Sequence, residues 1–213
     1  PGGRLRVRPL PRIHAITDAA VLGLPDLGVR AAAIAALGPA AALHVRDRGA
    51  PVATLAATAE RFATLARPPE AAVFINARPD LAAAIGAQGL QLGANDLSVA
   101  DARGLFRAGW IGRSVHSLPE AEAAVADGAD YLMLGSVYDT VSHARSAPVG
   151  IDLLRRVVAL GRPVIAIGGV TSLRVEELAR AGAWGVAAIR ALWHAADPAA
   201  AARMLAAPWL EGA

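Results

Sequence analysis

The residues able to do chemistry fall into short polar clusters, each following an apolar run. His44-Val45-Arg46-Asp47-Arg48 alternates two arginines with an aspartate, so both guanidinium groups could face one side and hold a carboxylate or pyrophosphate. His44 falls inside the apolar run and reads as a hydrogen-bonded structural residue. Asn76 ends another run as a neutral hydrogen-bonding group, and Gly93-Ala94-Asn95-Asp96 places a carboxylate after a third. In Gly112-Arg113-Ser114-Val115-His116-Ser117, His116 sits just before a helix start and is the best candidate for a general base, with Ser114 beside it as a donor. The stretch 136–150 carries Thr140 and His143 among other polar residues, in the manner of a loop that covers a site. The paired Gly168-Gly169 leaves backbone N–H groups uncovered for an anion, and Ile189 and Arg190 close the last run where they could reach the same group. Each cluster also has a plainer reading as a turn, a cap or a solvated ion pair. No His/Asp/Glu grouping has metal-ligand spacing, since Asp96 stands alone.

The elements that must carry these clusters are legible. Eight β-like runs, at His14–Thr17, Leu43–Arg46, Val73–Asn76, Gly89–Leu92, Ile111–Ser114, Tyr131–Gly135, Val164–Gly168 and Gly185–Ile189, are each followed by a helical stretch. Continuous apolar strands between helices predict a parallel sheet, and eight such units predict a closed α/β (β/α)8 barrel of the TIM type, with its site at the C-terminal ends of the strands. An open doubly wound sheet is the alternative, but no Gly-rich dinucleotide fingerprint follows the first run. Gly86-Ala87, Gly128-Ala129 and Gly182-Ala183 repeat one helix-ending pattern before a strand. Ser98-Val99-Ala100-Asp101 and Ser117-Leu118-Pro119-Glu120 read as capping boxes. The predicted organisation is a basic arm over residues 1–12 and a barrel over 13–213.

Composition removes several chemistries. The 213 residues contain no cysteine, and every one of the 21 basic residues is arginine, so neither a thiolate nor a lysine Schiff base is available. Four arginines lie in the first twelve residues, but the rest are scattered and aromatics make up only 4%, which argues against a nucleic-acid protein. No apolar run reaches membrane-spanning length. A cytoplasmic protein with a small-molecule ligand is expected; a homo-oligomer is left open.

Together the strand-end motifs resemble the thiamine-phosphate synthase superfamily, which includes the related thiazole tautomerases. The resemblance runs from about Ile13 to Leu205. It rests on Ile16-Thr17-Asp18, Val45-Arg46-Asp47-Arg48, Ile75-Asn76, Leu92 to Asp96, Gly112 to Ser117, Gly128 to Tyr131, Tyr138-Asp139-Thr140 and Ala166 to Gly169. It implies phosphate binding by Gly168, Gly169, Ile189 and Arg190, and substrate contacts from Arg46, Arg48, Asn76, Ser114, Thr140 and His143. In a synthase, which joins an aminopyrimidine pyrophosphate to a thiazole phosphate, magnesium is held by an aspartate after Asn76 and by Asp96. Here the first position is Ala77, and the family's lysines after strands two and six are replaced by Arg48 and by His143 or Arg145. These losses favour the tautomerase branch: a proton shuttle by His116 on a phosphorylated thiazole carboxylate, with no cofactor or metal. A synthase using magnesium, and a non-catalytic thiazole-phosphate-binding relative, are the alternatives.

Overall fold

The computed structural model describes residues 9–67, 70–140 and 147–210. Eight parallel strands close into a ring in sequence order: β1 Ile13–Ile16, β2 Ala41–Val45, β3 Ala72–Asn76, β4 Gly89–Leu92, β5 Trp110–Val115, β6 Tyr131–Leu134, β7 Val164–Ile167 and β8 Gly185–Ala188. Closure is made by β8 against β1, with Ile13 opposite Val186. The helices are α1 Ala19–Leu22, α2 Leu27–Ala35, α3 Val52–Leu65, α4 Pro79–Ala84, α5 Val99–Leu105, α6 Leu118–Ala126, α7 Gly150–Val158, α8 Val175–Arg180, α9 Arg190–Trp193 and α10 Pro198–Leu210. This is the (β/α)8 barrel the alternation predicts, with all eight strands within two residues of their expected ends. Among the described residues, no helix is long and apolar enough to cross a membrane.

Side-chain alternation along each strand divides the apolar residues into two layers. Ile13, Leu43, Ile75, Leu90, Ile111 and Leu132 face the helices and form the larger core. Ile16, Ala42, Phe74, Tyr131, Met133, Ile165 and Ala187 fill the barrel itself. Large and small residues interlock there. A Cβ added at Gly89 would lie 2.0 Å from the Phe74 ring, and one at Gly112 would lie 2.1 Å from the Tyr131 ring.

The αβ connections repeat as read. Gly86, Gly128 and Gly182 have φ of +63°, +90° and +92°. After each, the alanine N–H donates five residues back, Ala87 to Ala82, Ala129 to Ala124 and Ala183 to Leu178, at 2.9, 3.0 and 3.0 Å. These are three copies of the Schellman helix end, which needs a residue free of Cβ strain in the left-handed region. Ser98 and Ser117 cap α5 and α6 by accepting from the N–H of Asp101 and Glu120.

Residues Leu10 to Arg12, assigned to the basic arm by composition, instead close the barrel floor. Leu10 is buried in the inner cluster and its carbonyl accepts from Trp184 Nε1. The Arg12 guanidinium stacks 3.6 Å from the centre of the Trp184 ring and donates to the Trp184 carbonyl. Of the expected arm, residues 1–8 lie outside the described residues.

The close approach at Gly112 makes a direct test. Gly112→Ala is expected to cost about 2–3 kcal/mol, since an extra methyl must displace a ring in a filled lumen. In a thermal melt this corresponds to a loss of roughly 5–10 °C for a chain of this size. An unchanged melting temperature would contradict the packing described.

Candidate active site

At the end of β2 the backbone of Arg46 is fixed before its side chain enters the mouth. Thr17 Oγ1 donates to the Arg46 carbonyl at 2.9 Å and accepts from the Arg46 N–H at 2.8 Å. The side chain of Arg46 is half-buried. Burial and the neighbouring Arg48 cation push its pKa down, while Asp18, Asp47 and Asp96 push it up. Arg48 reaches towards the β4 end: a Cβ at Gly93 would stand 4.0 Å from Arg48 Nη2 and 3.1 Å from Asp96 Oδ2. Asp96 is itself fastened by the Gly93 N–H, 2.6 Å from Oδ2. Ion pairs among the described residues join arginines such as Arg30, Arg78 and Arg103 to aspartates, but none includes Arg46 or Arg48. Among the described residues, then, two guanidinium groups meet at the mouth without a paired carboxylate, which favours a ligand of high negative charge density.

Beneath this mouth lies a buried polar column. His14 Nε2 is 3.1 Å from the Pro11 carbonyl, His14 Nδ1 is 2.8 Å from His44 Nε2, and His44 Nδ1 is 3.0 Å from Asn76 Oδ1. Both histidines are fully buried. Burial holds both imidazoles neutral, pulling His14 well below the ordinary histidine range and His44 down to about 4. On the next strands Gln91 Nε2 donates to Ser114 Oγ at 3.0 Å, which ties β4 to β5 under the rim. Ala77, just past β3, has φ +63°, a left-handed conformation uncommon for alanine.

On the far side, the strand-six and strand-seven loops are laced together. Val137 N–H donates to the Ile167 carbonyl and Tyr138 N–H to the Gly168 carbonyl, at 2.8 and 3.1 Å. Gly168 and Gly169 have φ of +95° and +64°. A Cβ on Gly168 would meet Ser136 Cβ at 2.4 Å, and one on Gly169 would meet the Asp139 carbonyl at 2.6 Å. Only glycine fits both the conformation and the space. Arg174 donates to the Gly169 carbonyl at 2.6 Å and stacks on Tyr138, whose hydroxyl donates to Glu177 at 2.5 Å. Burial, helped by Glu177, pushes the Tyr138 pKa up to about 12. Thr140 follows this brace and is half-buried; Ile189 packs on the inner cluster, and Arg190 is exposed at the start of α9.

The structure thus gathers Arg46, Arg48 and Asp96 around one side of the mouth, with Asn76 and Ser114 at the rim and Gly168-Gly169 in the β7 loop. His116 is placed differently. It sits at the β5 end, but its N–H and Nδ1 both lie against Glu120 Oε2, at 2.8 and 3.1 Å, and its side chain is 56% exposed. The expected substrate contact His143 lies outside the described residues, as does Arg145. Thr17, His14 and Gln91 were given no role from sequence, although strand alternation already turns His14 and Gln91 into the lumen.

Fold and mouth together define a small (β/α)8 barrel whose open end carries two neighbouring arginines in no ion pair among the described residues, with Asp18, Asp47 and Asp96 nearby. A sequence profile described as "Thiamine monophosphate synthase" matches residues 13–192. A thiamine-phosphate synthase from Chloroflexus aurantiacus is 36% identical over 199 residues, covering 92% of this chain and 91% of that protein. The one from Anaeromyxobacter dehalogenans is 43% identical over 174 residues, covering 80% and 78%. The solved structure of a thiamine phosphate pyrophosphorylase from Pyrococcus furiosus superposes with a TM-score of 0.79 at 34% identity, covering 91% of this chain and 93% of that one. The chain belongs to the thiamine monophosphate synthase family.

These relatives overturn the expected tautomerase branch and its isomerase class: they are named as synthases, which are transferases. The proton-shuttle role given to His116 belonged to that branch and goes with it. The subtraction that led there was physically weak. Replacing lysine by Arg48 keeps the positive charge, and a missing carboxylate at position 77 matters less where a phosphate ligand brings its own oxygens to a metal.

The buried histidines give the site a measurable signature. An unfolded His44 takes up a proton near pH 6.5, whereas the folded one does so only near pH 4. Between these values the unfolded chain binds more protons, so stability falls as pH falls, by up to about 3 kcal/mol from this group at pH 4. Urea midpoints should be level above pH 7 and fall by at least ~1 kcal/mol equivalent by pH 5.5. Replacing His44 should flatten that limb; a wild-type profile level to pH 5 would contradict the neutral pair.

Proposed function

We propose that this chain is a thiamine-phosphate synthase, a transferase that joins an aminopyrimidine pyrophosphate to a thiazole phosphate. The observation that carries the reading is Arg46 and Arg48, in no ion pair among the described residues, gathered beside Asp96 on one side of the mouth. Its near full-length synthase relatives support the same conclusion. In the coupling, a carbon–oxygen bond to pyrophosphate breaks and a bond to the thiazole nitrogen forms. Negative charge grows on the departing pyrophosphate, where the two guanidinium groups would stabilise it more in the transition state than before. Arg46, held at its backbone by Thr17, does this from a pre-set position. The Gly168-Gly169 loop would take the thiazole phosphate through its backbone amides, with Ile189 and Arg190 beside it and Asn76, Ser114 and Thr140 along the rim.

Magnesium fits this donor set in a limited way. Among the described residues no three acidic or histidine side chains gather in one place, so the protein alone supplies no cage. Magnesium is commonly held by one or two carboxylates together with substrate phosphates. Asp96 would be the protein ligand, and the ion would supply charge neutralisation on the pyrophosphate. The ligand would thus be a small phosphorylated molecule, with no further cofactor.

Purified protein given the two substrates should release pyrophosphate and thiamine phosphate in the presence of magnesium. Arg46→Gln should lower kcat/KM by roughly 10²-fold with little change in melting temperature. Absence of coupling at saturating substrate and magnesium would reject the reading.

Ala77 offers a second test. Its backbone already holds φ +63°, a region aspartate tolerates better than alanine does. Ala77→Asp should fold normally and lower the magnesium concentration for half-maximal activity by about tenfold or more, because a second carboxylate joins the first. An unchanged magnesium requirement would show that position 77 does not face the metal.

A further inference from the structure

The polar column below the mouth has a direction that its geometry imposes. At its lower end the Pro11 carbonyl can only accept, so His14 Nε2, 3.1 Å away, must carry the proton. In a neutral imidazole this leaves His14 Nδ1 bare. His44 Nε2, 2.8 Å away, must then be the donor between the rings. That in turn leaves His44 Nδ1 bare and in need of a donor. Its neighbour is the Asn76 amide, with Oδ1 at 3.0 Å. Two lone pairs cannot face each other there. The two ends of an amide have the same shape, so a half-turn about its last bond places Nδ2 against His44 and resolves the clash. Keeping Oδ1 in place requires a third proton shared by the two rings. Burial opposes that cation, since both rings are fully enclosed.

We infer that the His14–His44 pair is a positioning device that holds Asn76 with its NH2 group on His44 and its carbonyl oxygen turned into the barrel mouth, where it takes a hydrogen-bond donor from the ligand. Resting on the synthase reading, that donor is the exocyclic amino group of the aminopyrimidine. The orientation of the amide does not depend on that reading. Neither histidine touches the ligand; they act through Asn76. The device transmits hydrogen-bond polarity from the barrel floor to the site over three side chains, and it makes the site ask for an amino group rather than an acceptor. An amide free to turn would accept either.

Two measurements decide it. In 15N-labelled full-length protein at pH 7.5, long-range proton–nitrogen correlation should show His14 and His44 both protonated at Nε2 and bare at Nδ1. A His44 protonated at Nδ1 would overturn the inference, whether or not the protein couples its substrates. In the coupling assay, a pyrimidine pyrophosphate with an acceptor-only methoxy oxygen in place of the amino group should show KM raised roughly 30-fold or more over the amino substrate, since that oxygen would face the fixed Asn76 carbonyl. His44→Leu should bring that ratio to within about threefold while kcat for the amino substrate changes little. A role confined to stability would leave the ratio intact, and an intact ratio in folded His44→Leu protein would overturn the inference. Should His44→Leu not fold, the nitrogen spectrum of the unaltered chain still decides. Absence of coupling with either substrate would reject the synthase reading alone.

Discussion

Eight four- to six-residue strands closed into a ring enclose a lumen that a few side chains must fill without gaps. Everything at the mouth is built on that filling. The Phe74 and Tyr131 rings occupy the space that Gly89 and Gly112 leave, and the two histidines complete the layer between them. In a lumen this closely filled, a buried polar group can be partnered only by another lumen residue or by the floor, and among the described residues Gln91 Oε1 and Tyr131 OH have no such partner. The result is a column from the Pro11 carbonyl to Asn76 in which each member fixes the next. The floor is closed by Leu10 and by Arg12 stacked on Trp184, which keeps water from entering that column from below.

Charge is arranged on a different principle. Arginine can be left unpaired at a half-buried site because its guanidinium group is weakly hydrated and does not give up its proton. The fold uses this at Arg46, fastening its backbone through Thr17 rather than its head through a carboxylate, while Arg48 beside it is exposed. Asp18, Asp47 and Asp96 lie near enough to favour the Arg46 cation without forming an ion pair with it. In a chain with no lysine, the positive charge of the mouth rests on arginine alone, so its attraction for an anion follows the charge state of the ligand.

How much of this the sequence carried depended on the range of the interaction. The strands and the three Schellman helix ends were legible because apolar runs and a glycine at a fixed offset are local signals. The floor was not. Arg and Pro near the terminus look solvated, and what buries them is Trp184, more than 170 residues away. His116 was legible in place but not in direction: its strand position turns it towards the lumen, yet Glu120 one helical turn later captures both its N–H and its ring. The branch of the family was misread for a different reason. Missing ligands were counted residue by residue, although charge can be carried by another residue type and metal oxygens by the ligand.

Ala77 shows why such counting misleads. The backbone there adopts a left-handed turn that an alanine gains nothing from, and the preceding Asn76 is already committed to His44. A carboxylate at 77 would sit in a frame that persists without it. The frame is fixed by β3 pairing with β4, where the Ala77 N–H donates to the Gln91 carbonyl at 2.9 Å, not by any metal. Loss of one side chain therefore leaves the site's scaffold, its cations and its oriented amide in place. A site of this kind is defined by the backbone and the buried column that orient it, and a single absent ligand changes how tightly an ion is held more readily than it changes which reaction the barrel can perform.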